Sequence, residues 1–204
     1  MMSAIFAGAR ANWLAGILSR VTARLLRLTG RAPTSAQRQP SPWLAGSTHR
    51  WHTNPAFCAA GDRVDGHSCR VAILILQFIP DATVELLRAA ITHDLGANAV
   101  GDLASPVKRK NPDLYAAVEG LEGDALSAMG FDIPAHVLSA RDRAFLHLCD
   151  GLDAYLWAVT HRPDYVRARA DWRDMFAGLQ SRADALGVRW KFNEIVEGVC
   201  DGKF

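Results

Sequence analysis

The chain has 204 residues, half of them hydrophobic, and a net charge of +2. That length buries one full core and does not require a second domain. Its four cysteines, Cys58, Cys69, Cys149 and Cys200, show no CxxC or finger-like spacing, which excludes a zinc ribbon and a disulfide framework and fits a reducing cytoplasm.

The small net charge hides an asymmetry. Residues 1–61 hold seven arginines and no acidic residue, so residues 62–204 carry −5. Within residues 2–28, Ile5, Phe6, Trp13, Leu14, Ile17, Leu18, Val21, Leu25 and Leu28 recur mostly every three or four positions with arginines between them, the pattern of an amphipathic helix. No apolar run approaches about 20 residues, so no transmembrane span is expected. An Arg-rich, acid-free start reads as a targeting segment, a membrane-surface helix or a helix docked on its own domain or on a sister subunit. Residues 30–48 carry Gly30, Pro33, Pro40, Pro42 and Gly46 and read as a linker. The division expected is therefore 1–48, a basic amphipathic helix and Pro-rich linker, and 49–204, the working domain.

The working domain opens on Arg50-Trp51-His52-Thr53-Asn54-Pro55. This basic–aromatic pair suits a nucleotide, with the indole stacking on a base and the guanidinium reaching phosphate. From His67 to Ile79 the residues are almost continuously apolar; the thirteen-residue length and the helical company favour a central helix over a buried strand. Pro80 breaks the run and Asp81 is the expected N-cap of the next helix. Val84, Leu87 and Ile91 carry that helix to His93-Asp94, with Gly96 as its C-cap. Asn111-Pro112 starts another, with Leu114, Val118, Leu121, Ala125 and Met129 as its buried face. Ser139 and Asp142 form a capping pair ahead of a helix lined by Phe145, Leu148, Leu152, Tyr155 and Val159 on one side and Leu146, Asp150, Asp153 and Trp157 on another. A long helix from Pro163 to Leu186 and a shorter one over 188–200 complete the chain. Nothing alternates with period two, so the fold class expected is all-α, a helical bundle with an N-terminal helical extension.

Two features carry chemistry. His93 and Asp94 can take neighbouring positions on one cation, and the loop after them ends in Lys108-Arg109-Lys110, which can offset the negative charge of a phosphate. Asp150, set among apolar positions, is costly to bury without a cation or a hydrogen-bond partner.

A histidine opening one helix (His67), a His-Asp pair closing the next and an aspartate in a later one, in that order, resemble the HD-domain metal-dependent phosphohydrolases. The likeness is above all to the 5′-deoxynucleotidases and to the dATP triphosphohydrolases of phages that use 2-aminoadenine. It runs over roughly residues 49–160. Arg50-Trp51-His52-Thr53 matches the family's opening motif, and Val64-Asp65-Gly66-His67-Ser68 with Val71-Ala72 matches its first-histidine helix. Gly101-Asp102-Leu103 with Ser105-Pro106-Val107-Lys108 matches its substrate loop, and Asp150 with Ala154-Tyr155-Leu156 its last ligand helix.

The resemblance implies metal ligation by His67, His93, Asp94 and Asp150. It implies sugar or phosphate contacts for Arg50, Asp102 and Lys108, and base contacts for Trp51 and Pro106. Imidazole mixed with carboxylate suits Zn²⁺, Co²⁺ or Mn²⁺. The implied activity is hydrolysis of purine deoxynucleotides, dATP first, by a cytoplasmic homo-oligomer, a dimer or a hexamer, in the host cytoplasm if phage-encoded, without stable nucleic-acid binding. A broad 5′-deoxynucleoside monophosphatase and a non-catalytic nucleotide sensor are the alternatives, and a nucleic-acid-binding module using the basic N-terminus is a third. Two positions depart from the family pattern. Gly66 replaces an acidic residue beside the first histidine, removing a partner for that ligand. Ala97 replaces the glutamate that handles the attacking water's proton, a loss that typically costs ~10²–10⁴-fold in rate.

Overall fold

The computed structural model describes residues 41–101, 103, 110–131 and 137–200. Among these the regular elements are all helices, without a β-strand, and an isolated bridge pairs His49 with Arg63. The helices are α1 (Pro42–Ala45), α2 (Val64–Phe78), α3 (Val84–Thr92), a 3₁₀ helix (Leu95–Ala99), α4 (Pro112–Ala128), α5 (Ala140–His161), α6 (Pro163–Ala168), α7 (Ala170–Ala185) and α8 (Arg189–Cys200). The apolar run after His67 is a helix, as its length favours.

Helix α5, with 22 residues, is the axis of the bundle. It starts at a reciprocal capping box in which the Ser139 hydroxyl accepts from Asp142 N and the Asp142 carboxylate accepts from Ser139 N. One side of α5 packs on α2 and α3: Leu148, Leu152 and Leu156 join Val71, Leu74, Ile75, Leu86 and Ala90 in one buried cluster, which Leu179 of α7 and Phe192 of α8 extend. A second cluster is aromatic, built from Phe57, Trp157 and Trp172. A third is small, and in it Ala45 of α1 meets Val64 and Leu95.

Several boundaries differ from the sequence reading. Thr83, not Asp81, caps α3, its hydroxyl accepting from Leu86 N at 3.2 Å. Gly96 does not end α3, which stops at Thr92. It sits inside the 3₁₀ helix, where any Cβ would collide with the backbone carbonyl of Glu122 on α4. The helix expected from Pro163 to Leu186 breaks at Arg169, whose extended backbone (φ −107°, ψ 135°) separates α6 from α7. Pro42–Ala45, within the stretch read as linker, is helical because Pro42 fits the first turn and Ser41 caps it. The face of α4 expected to be buried is largely open: Val118 is buried, whereas Leu114 and Leu121 are 41% and 52% exposed.

Candidate metal centre

Three helices deliver the site. His67 stands on the first turn of α2, its ring fully buried. His93 caps the C-terminus of α3, and Asp94 follows as the residue that starts the 3₁₀ helix. Asp150 projects from the middle of α5. One ligand atom from each of these four residues can be chosen so that all lie within 4.8 Å of one another, a spacing that could hold a metal ion. His67 Nε2 is 3.1 Å from Asp150 Oδ1 and 3.3 Å from Asp94 Oδ2. His93 Nε2 is 3.5 Å from Asp94 Oδ1 and 3.8 Å from Asp150 Oδ1.

The donor set fits a cation because of where the imidazoles spend their other nitrogen. His67 Nδ1 lies 2.6 Å from Asp153 Oδ2, and His93 Nδ1 lies 2.9 Å from the Ala90 carbonyl. With an N–H on each Nδ1 donating to those oxygens, each Nε2 is the nitrogen that faces the carboxylates, and it becomes a ligand for a cation once it carries no proton. Both Nε2 atoms are buried, and their polar neighbours are the Asp94 and Asp150 carboxylates, with which they make ion-pair contacts but no well-formed hydrogen bond. Buried polar atoms are rarely left so, and two of them converging on two carboxylates are what a bound cation would satisfy. The site is also open on one side. The side chains of Asp94 and Asp150 are 34% and 41% exposed, against none for His67. A cation held here would keep positions for water, as catalytic rather than closed structural sites do.

Electrostatics agree with this need for positive charge. Burial lowers the affinity of His67 for a proton, but Asp150, Asp153 and Asp94 outweigh it and raise its pKa to about 10. His93 is likewise pushed up against its burial, chiefly by the charge of Asp94. Burial raises the Asp94 and Asp150 carboxyls, yet the two imidazoles win and hold both below the ordinary carboxylate range.

Behind His67 lies a network that motif matching missed. Asp153, 3% exposed, accepts from Arg70 Nε at 2.6 Å as well as from His67. Arg70 also donates to Asp62 at 2.9 Å, and Asp62 accepts from Arg50 Nη1 and from the Trp51 indole N–H, each at 3.1 Å. Gly66 leaves no partner of its own for His67, but the partner is not missing: Asp153 supplies it from α5. The only sequence signal for this was a carboxylate three residues after Asp150 on an otherwise apolar face.

Of the residues implied to meet substrate, Arg50 is turned inward, 9% exposed, with Nη1 on Asp62 and 3.7 Å from Asp153, and with its Nε buried without a hydrogen-bond partner. Trp51 adopts φ 63°, a left-handed conformation that costs a non-glycine residue free energy and is retained where surroundings over-determine it. Here the Asp62 bond and a stack on Trp157 (5.6 Å, 9°) hold it. Ala97, 7% exposed, lies one tight turn beyond Asp94, its N–H bonded to the Asp94 carbonyl at 3.0 Å. Asp102, Pro106 and Lys108 lie outside the described residues.

No family model, curated protein or solved structure matches this chain.

Proposed function

We propose that the chain is a metal-dependent phosphohydrolase of the HD-domain type acting on deoxynucleotides, with dATP as the leading substrate and deoxyadenosine plus phosphates or triphosphate as products. The observation that carries this reading is the convergence of His67, His93, Asp94 and Asp150, with two buried imidazole nitrogens facing two carboxylates. The order of motifs along the chain supports it, as does the open flank at Asp94 and Asp150.

These four residues would hold a divalent ion, Zn²⁺, Co²⁺ or Mn²⁺, which when bound supplies acidified water and neutralises charge at phosphorus. The chain's own part is orientation. Asp153 and the Ala90 carbonyl fix the two imidazoles, and Asp62 with Arg70 fixes Asp153. By resemblance alone, Lys108 and Asp102 are assigned to phosphate and sugar and Pro106 and Trp51 to the base, although the Trp51 ring already stacks on Trp157 and its N–H is taken by Asp62. The assembly proposed is a cytoplasmic homo-oligomer. No helix among the described residues is long and apolar enough to cross a membrane.

One observation favours a second reading. Ala97 is buried beside the site and its methyl group cannot exchange a proton. A nucleotide-binding sensor with slow turnover would keep the ligands and lose that group. Phosphate or triphosphate release from dATP, measured with each metal on the chain and on Ala97→Glu, decides between them. The enzyme reading expects metal-dependent release that rises by roughly 10²-fold or more in Ala97→Glu with dATP affinity unchanged. Metal-loaded protein that releases nothing in either form would overturn it.

A further inference from the structure

Beside Asp150 the surface opens into a cleft of about 860 Å³, a size within the range of small-molecule sites. One wall is a single face of α7: Asp171, Asp174, Met175, Gly178, Leu179 and Arg182 line it. Their three- and four-residue spacings form one stripe over about 16 Å of helix. His147, Asp150 and Gly151 of α5, which packs against that face, and Pro112 and Tyr115 of α4 line the cleft as well.

Contacts between α5 and α7 fix the polarity of this cleft. Arg182 Nη1 lies 3.5 Å from the His147 carbonyl, a Cβ on Gly151 would come within 2.8 Å of Leu179, and Tyr155 stacks on Phe176 at 4.7 Å. The two helices therefore run antiparallel. Arg182 and His147 stand at the Asp150 end, Leu179, Gly178 and Met175 follow, and Asp174 and Asp171 stand furthest away. Asp171 is already engaged by Arg169 through bonds of 2.9 and 2.8 Å, whereas Asp174 is exposed.

A lining that passes from a guanidinium through thioether and aliphatic groups to a carboxylate suits one kind of ligand. It has a phosphate at one end, a flat apolar body, and a hydrogen-bond donor at the other end. Trp51 is less suited to receive such a body, because Trp157 covers one face of its ring and Asp62 takes its N–H.

Resting on the metal-site reading above, we propose that this cleft receives the nucleoside part of the substrate. Its phosphate lies toward Asp150 and Arg182 and its base toward Asp174. An exocyclic amino group, as on adenine or cytosine, gives the Asp174 carboxylate a donor. Thymine offers at that edge a ring N–H between two carbonyl oxygens, which a carboxylate repels. The cleft thus selects amino bases.

The test is calorimetric titration of dAMP and of dTMP, with and without Co²⁺, into the unaltered chain, Gly178→Phe and Asp174→Ala. A Cβ at Gly178, which lines the cleft, meets nothing within 4 Å, so a side chain can start there without a backbone clash, and thermal unfolding checks that Gly178→Phe remains folded. The expected results are Co²⁺ uptake equal in all three proteins and dAMP binding at least tenfold weaker in Gly178→Phe. The preference for dAMP over dTMP is expected in the unaltered chain and lost in Asp174→Ala. Unchanged dAMP affinity in Gly178→Phe, or dTMP bound as tightly as dAMP by the unaltered chain, would overturn the cleft assignment. Failure of the unaltered chain to take up Co²⁺ would instead overturn the metal reading, and the metal-free titrations would still report on the cleft.

Discussion

His67 Nδ1 and Asp153 Oδ2 lie 2.6 Å apart, both buried, and that contact decides which imidazole nitrogen is left facing Asp94 and Asp150. A carboxylate partner fixes the tautomer and the ring orientation and raises the basicity of the ligating nitrogen. Asp153→Asn, similar in shape but uncharged, is expected to weaken metal binding by about 10–100-fold. Asp153→Ala also leaves the buried His67 without its Nδ1 partner, and removing one member of a buried pair of this kind costs about 3–5 kcal/mol. Competition with a chromophoric chelator measures the first effect and urea unfolding the second. Equal metal affinity in Asp153→Asn would remove Asp153 from the site.

Gly96 governs how closely the 3₁₀ helix approaches α4. A Cβ there runs into the backbone of Glu122, which cannot yield as a flexible side chain would. Gly96→Ala should therefore displace the segment that follows Asp94, destabilising the protein by about 1–3 kcal/mol and lowering metal affinity. Thermal unfolding with and without metal checks both parts. A variant as stable as the parent would mean that the two elements separate freely.

The metal-free protein should show a two-sided dependence on pH. His67 has a folded pKa of about 10 against an ordinary 6.5, so its contribution to stability is complete below 6.5 and is lost as pH rises toward 10. Asp94 and Asp150 are depressed from 3.8, so their contribution is present above that value and is lost as pH falls below it. Stability is therefore greatest between these limits. Ligation needs neutral imidazoles, so metal uptake should release protons and tighten as pH rises from 6 to 9. Metal binding of equal strength at both ends of that interval would contradict protonated imidazoles in the metal-free site.

The helical class, the order of helices and the α5 capping box were legible because each rests on local pattern: apolar spacing, Pro80, Ser139 with Asp142. The open face of α4 was not legible. Periodicity marks an apolar stripe without saying whether anything covers it, and Leu121 is exposed despite its place in the stripe. The break at Arg169 left no signal either, since neither glycine nor proline occupies it and Arg169 and Asp171 pair across it. In the site, residue types and order pointed to His67, His93, Asp94 and Asp150. Asp62 and Arg70 gave no signal, and Asp153 was placed on its helix face without a role, because their meaning lies in hydrogen bonds between residues as many as 86 positions apart.

The most direct test of the account is the metal content of the purified chain, loaded with Zn²⁺, Co²⁺ or Mn²⁺ and dialysed, beside that of His93→Ala and Asp150→Ala. About one ion per chain is expected in the unaltered protein, with little in either variant, because a two- or three-ligand remnant holds a divalent ion poorly. Full metal content in both variants, or none in the unaltered chain, would contradict a metal centre at His67, His93, Asp94 and Asp150.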